Sequence, residues 1–230
     1  IRPKATDFPP FGSMAIIQSL RSIGEKANFY HIDYHRFSHE QNSEYFATHQ
    51  FDMVGISAVV STAYAYTKYL TQLIKNVSPK TIVFVGGSLA ASAEILHRKA
   101  NVDYCVIGDG EIIVKNLVKA VRDKKTNNND LDKIPGITYI DTKNIFKFTN
   151  YDHALPASMI ERPDYSILEE DNSIDHYIPE RQGFPWAISE DYNQEEKGNR
   201  KATLIVAKGC VARCTFCHRF EKGYRVSPTD

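Results

Sequence analysis

Hydrophobic positions between residues 11 and 121 follow two alternating rhythms. Ile16, Leu20 and Ile23 recur at i, i+4 and i+7, one face of a helix ending at Gly24. Residues 27–32 form a short β-prone run, where a strand is expected. Residues 53–60 are almost continuously apolar, the pattern of a strand buried on both faces. Tyr66, Leu70, Leu73, Ile74 and Val77 return to helical spacing, and Pro79 ends that helix. Residues 81–85 predict another buried strand, stopped by Gly86 and Gly87. Residues 88–100 predict a helix with Ser88 as its cap, and residues 102–107 a further strand. Val114, Leu117, Val118 and Val121 give the next helical face. Strand and helix thus alternate four times. The expected fold class is α/β, an open, doubly wound parallel sheet with helices on both faces. Such sheets bind ligands beyond the carboxyl ends of their strands, which directs attention to residues 57–61, 86–88 and 108–111.

The first helix has no strand before it, only residues 1–11 with three prolines. A doubly wound domain opens on a central strand, so the sequence is expected to start just after one. Proline then partitions the chain. Pro79 is the one proline between residues 11 and 134, whereas five fall from Pro135 to Pro185. Residues 137–140 and 145–148 flank a polar stretch and predict a small hairpin. Residues 161–196 carry eleven acidic side chains against Arg162 and Arg181, the composition of an irregular connector. From 200 to 225 the balance reverses, with seven Lys or Arg against Glu221. Three units are expected: an α/β domain over 1–134, a hairpin and acidic connector over 135–199, and a third unit from 200 to 230.

Composition narrows the class. Of 230 residues, 42% are hydrophobic and 24% charged, which excludes a disordered, collagen-like or coiled-coil chain. Lys and Arg total 28, as do Asp and Glu, so the chain lacks the basic footprint of a dedicated nucleic-acid binder. No apolar run reaches the ~18–20 residues of a membrane span, and no apolar core follows the charges at the N-terminus. Four cysteines are too few for a disulfide framework, so a reducing cytoplasm is the expected location.

Three of those cysteines fall within eight residues. Cys210, Cys214 and Cys217 follow an apolar stretch from Leu204 in a C-x-x-x-C-x-x-C pattern. Three thiolates on one loop can wrap a corner of a cubic iron–sulfur cluster, leaving the fourth iron open to a substrate. Lys208, Arg213 and Arg219 are suited to balance the negative charge of such a complex. Three other readings fit parts of the pattern. Cys214 to His218 matches C-x-x-C-H, the c-type haem attachment motif, but leaves Cys210 unused and requires export. Three cysteines with His218 have zinc-ligand chemistry, but a His adjacent to Cys217 is poorly placed to share its tetrahedron. The cysteines could also be inert and clustered by chance. Cys105, inside an apolar run, reads as a small core residue.

The spacing, with Phe216 in the aromatic slot and Gly209 before the first cysteine, resembles the radical S-adenosylmethionine (radical SAM) superfamily. That resemblance implies a 4Fe-4S cluster on Cys210, Cys214 and Cys217, with S-adenosylmethionine chelated at the open iron and contacted near Phe216. It further implies one-electron cleavage of the sulfonium to a 5′-deoxyadenosyl radical, which abstracts hydrogen from a small-molecule substrate. The electron would come from a reductant such as flavodoxin or ferredoxin. An α/β domain, a connector and then the cysteine loop look like the cobalamin-binding subclass of these enzymes. Matching segments are 8–12 (Pro-rich approach to the first helix), 52–57, 85–87, 102–111 with its Gly-Asp-Gly-Glu ending, and 134–137. The order implies cobalamin contacts from Ser57, Val59, Gly86, Gly87, Gly108, Gly110 and Glu111. Val59 departs from the Leu of the family's Ser-x-Leu. Gly86 and Gly87 would let backbone approach a bulky ligand. Ser57 could instead satisfy local backbone, and Glu111 could instead serve the helix it opens.

Many cobalamin domains carry Asp-x-His-x-x-Gly after their first strand, but residues 6–12 contain no His. His35 follows the second expected strand and is read as a loop residue. Cobalamin is therefore expected base-off, without a protein His. The resemblance implies a methyltransferase acting on an unactivated carbon. The alternatives are an oxidative cyclase or rearrangement enzyme of the same architecture, and a non-catalytic cobalamin- or cluster-binding module. Methylthiotransferases fit less well, because their N-terminal domain brings its own three cysteines. Residues 200–230 are expected to begin a (β/α) partial barrel. The remainder of that barrel, with the catalytic and substrate-choosing residues, is expected beyond residue 230, so the 230 residues alone are expected to be inactive.

Overall fold

The computed structural model describes residues 8–178, 202–205, 207–212, 214–215 and 223–226. Helix α1 (Phe11–Arg21) is followed by α2 (Ile32–His35) and α3 (His39–Thr48). Three strand–helix units come next: β1 (Met53–Ser57) with α4 (Tyr64–Val77), β2 (Ile82–Gly86) with α5 (Ala93–Ala100), and β3 (Tyr104–Val106) with α6 (Gly110–Arg122). These strands are parallel, with Ser57 opposite Gly86 and Val85 opposite Cys105. Short helix α7 (Asn128–Leu131) leads to the hairpin of β4 (Ile137–Ile140) and β5 (Phe146–Phe148). The hairpin joins the same sheet antiparallel to β3, giving the order β1-β2-β3-β4-β5.

The sheet is open and mostly flanked as expected, but it is mixed rather than wholly parallel. It also runs through the boundary expected after residue 134. The physical reason lies in the turn. Asp141 Oδ1 accepts from the amides of Lys143 and Ile145 at 2.9 and 2.8 Å, and Asn144 takes a positive φ of 60°. This closes a tight reversal whose strands can pair antiparallel only.

Period-two alternation sorts the strands between two layers. Val83 of β2 packs toward α3 and α4, against Phe46, Leu70, Leu73 and Ile74. Val85 and Cys105 join the α5 core with Leu96 and Ala100. Phe84, Tyr104 and Val106 face the other way, onto Ile113, Val114 and Leu117 of α6. A buried polar link pins α5 to the hairpin. His97 Nδ1 donates to the Val102 carbonyl at 2.7 Å, and Nε2 accepts from the Thr138 hydroxyl at 2.9 Å. Burial holds the His97 pKa below its ordinary value, which keeps the ring in this neutral form.

Three expectations need correction. Residues 27–32 do not form a strand: 25–31 have no regular structure and Ile32 opens α2. Their strand-like alternation has another cause. Ala27 and Phe29 enter the core of α1 with Met14 and Ile17, while Tyr30 and Ile32 enter the core of α3 and α4. The segment is wedged between two layers, so its side chains alternate without a ladder. Second, β1 ends at Ser57 rather than reaching residue 60, and Val59 and Val60 are exposed. Third, residues 88–92 form a 3₁₀ turn before α5, and no Ser88 side-chain cap is made. The amides of Leu89 and Ala90 are instead satisfied by the carbonyls of Ala58 and Gly87, both at 3.0 Å.

Beyond the hairpin, α8 (Ser166–Glu170) and α9 (Ile174–Tyr177) lie in the expected connector and pack Ile167, Leu168 and Tyr177 onto Met14 and Ile17 of α1. Asp171 sits at this seam with its side chain only 7% exposed. His35 Nε2 lies 3.1 Å and His31 Nδ1 3.5 Å from Asp171 Oδ2, and Tyr177 reaches His31 Nε2 at 3.1 Å. Burial alone would raise the Asp171 pKa, but the nearby polar groups of His31 and Ser173 and the electrostatic influence of His35 and His31 outweigh it, leaving the pKa lowered. The folded carboxyl therefore ionises at lower pH than the unfolded one. Its stabilisation is complete above the unfolded value, about 3.9, and is lost as pH falls through the folded value. Urea midpoints followed from neutral to acid pH should fall less steeply below about pH 4 in Asp171→Asn than in wild type. Parallel curves would remove Asp171 as the acid-labile group.

The last described strands, β6 (Ala207–Cys210) and β7 (Gly223–Val226), pair antiparallel.

Candidate functional site

The carboxyl ends of β1 and β2 form a bare ledge. Past Ser57, the Ala58 amide makes one more bond across to the Gly86 carbonyl at 2.9 Å, and then the strands part. Ala58 is buried beneath, while Ser57, Val59 and Val60 face outward, the two valines 64% and 56% exposed. Gly87 makes the parting possible. Its φ is +85°, and a Cβ there would stand 2.6 Å from the Ala58 carbonyl oxygen. Only a residue without a side chain can turn so close to the neighbouring backbone. Gly86 differs: a Cβ built on it meets no described atom within 4 Å. Its missing side chain leaves open space rather than relieving a clash. Ser57, Val59, Gly86 and Gly87, four of the expected contacts, are thus brought to one place, with Val60 and the exposed Ser88 beside them.

Gly108, Gly110 and Glu111, the other expected contacts, also make contacts within the fold. Gly108, with φ +110°, turns the chain after β3. A Cβ on Gly110 would lie 2.7 Å from Ile16 Cδ1, so this glycine admits α1 against α6. Asp109 Oδ2 accepts from the Leu155 amide at 2.8 Å, and the Glu111 carbonyl accepts from Ser19 Oγ at 2.8 Å. The Glu111 carboxylate pairs with Lys208 Nζ, 97 positions away. The loop is thereby a structural joint between α1, the connector and β6. Sequence reasoning assigned Lys208 to cluster charge and missed this partner, because nothing local marks a pair so far apart.

The cysteine loop begins at the end of β6. Gly209, with φ +92°, precedes Cys210. Cys210 and Cys214 are exposed and neither is in a disulfide. The Ala212 amide points at Cys210 Sγ over 3.4 Å, aiming a backbone dipole at an atom that is negative when it ligates metal. Cys217 and Phe216, the other expected residues of this site, lie outside the described residues. Among the described residues no three His, Cys, Asp or Glu side chains are gathered for a metal. Cys105 stands apart in the core, where burial pushes its thiol up to about 12. That is the setting of an inert thiol. His35 is committed to Asp171, as described above. No helix among the described residues is long and apolar enough to cross a membrane.

The B12 binding domain family matches residues 4–118. The anaerobic magnesium-protoporphyrin IX monomethyl ester cyclase of Synechocystis sp. is 25% identical over 91% of this chain and 38% of its own length. That of Cereibacter sphaeroides is 24% identical over 96% and 34%. The cytidylyl-2-hydroxyethylphosphonate methyltransferase of Streptomyces wedmorensis is 24% identical over 72% of this chain and 32% of its own. This chain therefore spans about a third of the length of these curated relatives. Among solved structures, the radical S-adenosylmethionine methyltransferase TsrM from Kitasatospora setae, with cobalamin and a [4Fe-4S] cluster bound, shares the fold. The TM-score is 0.62 at 16% identity, over 96% of this chain and 41% of that one.

Proposed function

Starting from the fact that this chain belongs to the B12 binding domain family, we propose that it serves a cobalamin-dependent radical SAM enzyme that methylates an unactivated carbon. The observation that carries the proposal is a conjunction: a bare ledge at the strand ends of the matched domain, and a three-cysteine loop on the same chain. The ledge fits a flat, bulky ligand, because Gly86 offers open space and Val59 and Val60 offer exposed apolar surface beside it. The loop fits an iron–sulfur cluster by the chemistry of its donors, with Cys210 and Cys214 exposed thiols.

Ser57, Val59, Gly86 and Gly87 would hold cobalamin, and Cys210, Cys214 and Cys217 the cluster. When bound, the corrinoid would supply a methyl group and the cluster one-electron cleavage of S-adenosylmethionine. This chain's own contribution is placement. Gly87 lets the Ala58 backbone pass close beneath the ledge, the two exposed valines keep water from one face of a ligand lying there, and β6 presents Cys210 at its end. The first domain offers no His in residues 6–12, and His35 is already engaged, so a base-off corrinoid without a protein ligand is the consistent form. The work is assigned to the cytoplasm, on a small-molecule substrate, with flavodoxin or ferredoxin as electron source. The domain scheme proposed keeps a cobalamin-binding unit, an acidic connector, and a third unit with the cysteine loop.

A second reading has its own support. Two of the relatives above are cyclases, at an identity equal to or above that of the methyltransferase. Anaerobic reconstitution with iron and sulfide, followed by hydroxocobalamin, tests the cofactors. Both should bind, and a chain that loads zinc or haem, or stays colourless, would end the proposal. In the intact protein that carries this chain, with cofactors loaded, S-adenosylmethionine labelled at its methyl group should transfer label to product if the protein is a methyltransferase. Label-free product would establish the cyclase.

A further inference from the structure

We propose that Glu111 is a positioning residue that holds the cysteine loop in register against the ledge domain through its ion pair with Lys208. The inference rests on the reading above that the loop carries a cluster. Lys208 lies two residues before Cys210, so the pair ties down the strand about 7 Å along the chain from the Cys210 backbone. Glu111 is well suited to be the fixed end. Its own carbonyl is tied to Ser19 of α1, Gly110 beside it admits Ile16, and Asp109 before it is tied to the Leu155 amide. The pair is partly withdrawn from water, with 24% of the Lys208 side chain and 16% of the Glu111 side chain exposed. Salt screens such a pair less than it screens an exposed one.

A second tie lies upstream on the same segment, where the Tyr165 hydroxyl donates to the Thr203 carbonyl. It accepts any side chain at 203 and so anchors the segment without selecting a register. The charge pair does select one, because Lys208 is a single cation at a single position of β6. The competing role for Glu111 is simpler. It sits in the first turn of α6, where a negative charge favours the helix dipole. The two roles predict different consequences.

Hydrogen–deuterium exchange on the full chain without cofactors separates them. Glu111→Gln and Lys208→Met should each speed exchange over residues 207–212 about tenfold, as expected for breaking a partly buried pair. Exchange over residues 113–122 should stay unchanged. The swap Glu111→Lys with Lys208→Glu should restore most of the protection at 207–212, although Lys at the start of α6 is unfavourable to the helix. Unchanged exchange at 207–212 in Glu111→Gln would overturn the proposal. So would faster exchange confined to α6 and not rescued by the swap. The cofactor reading is judged separately by iron and sulfide content of the reconstituted wild type. Failure to load a cluster would sink that reading and leave the exchange result to judge Glu111 by itself.

Discussion

Replacing Cys214 with Ala is expected to abolish cluster assembly, while Cys105→Ala leaves it intact. The two thiols are chemical opposites in this fold. Cys214 is exposed on the loop after β6, whereas Cys105 is fully buried and its thiol is pushed up to about 12 by desolvation. A cubic cluster held by three protein thiolates loses a corner if one is removed, and two remaining ligands would leave the iron to hydrolyse. Cys214→Ala should therefore yield chain with essentially no bound iron or sulfide and no signal by electron paramagnetic resonance after reduction. Cys105→Ala removes one buried sulfur from the α5 core and should cost about 1 kcal/mol of stability, with iron content unchanged. Full iron loading of Cys214→Ala would defeat the assignment, as would loss of iron in Cys105→Ala.

The second large effect separates two adjacent glycines. Gly87→Ala should destabilise the folded chain by about 3 kcal/mol, because it adds a Cβ 2.6 Å from the Ala58 carbonyl oxygen at a φ of +85°. Hydroxocobalamin binding should fall with it, since the ledge cannot keep its shape. Gly86→Leu is the informative partner. A Cβ at Gly86 meets open space among the described residues, so the variant should unfold within about 1 kcal/mol of wild type. Its side chain would occupy the space assigned to the corrinoid, so affinity for hydroxocobalamin should drop at least about tenfold, equivalent to about 1.4 kcal/mol. Denaturant midpoints and a cobalamin absorbance titration read the two quantities independently. If Gly86→Leu binds cobalamin as tightly as wild type, the ledge is a turn and not a ligand site.

Much of the α/β core is legible from local pattern because its elements are made by local rules. Helical spacing in residues 66–77 and 114–121 and the apolar run at 81–85 each correspond to an element in nearly the expected place. Each buries a face defined by its own period. The misread run at 27–32 shows the limit of that logic. Alternation records which side chains are buried on which side, and a segment wedged between two cores alternates as faithfully as a strand does. The hairpin was legible as a hairpin, but its membership in the main sheet was not. Joining β3 depends on edge-to-edge pairing across sequence, which composition does not encode.

For the site, the sequence by itself determined the donor chemistry: three closely spaced thiols and the bare Gly86-Gly87 pair, because both follow from residue type and spacing. Tertiary structure alone decided what each glycine is for. Gly87 answers a backbone in close contact, Gly110 answers a helix, and Gly86 answers neither. It also paired Glu111 with Lys208. That choice lies outside any window of sequence, because a charge finds its partner through the fold's distances and not through the chain's.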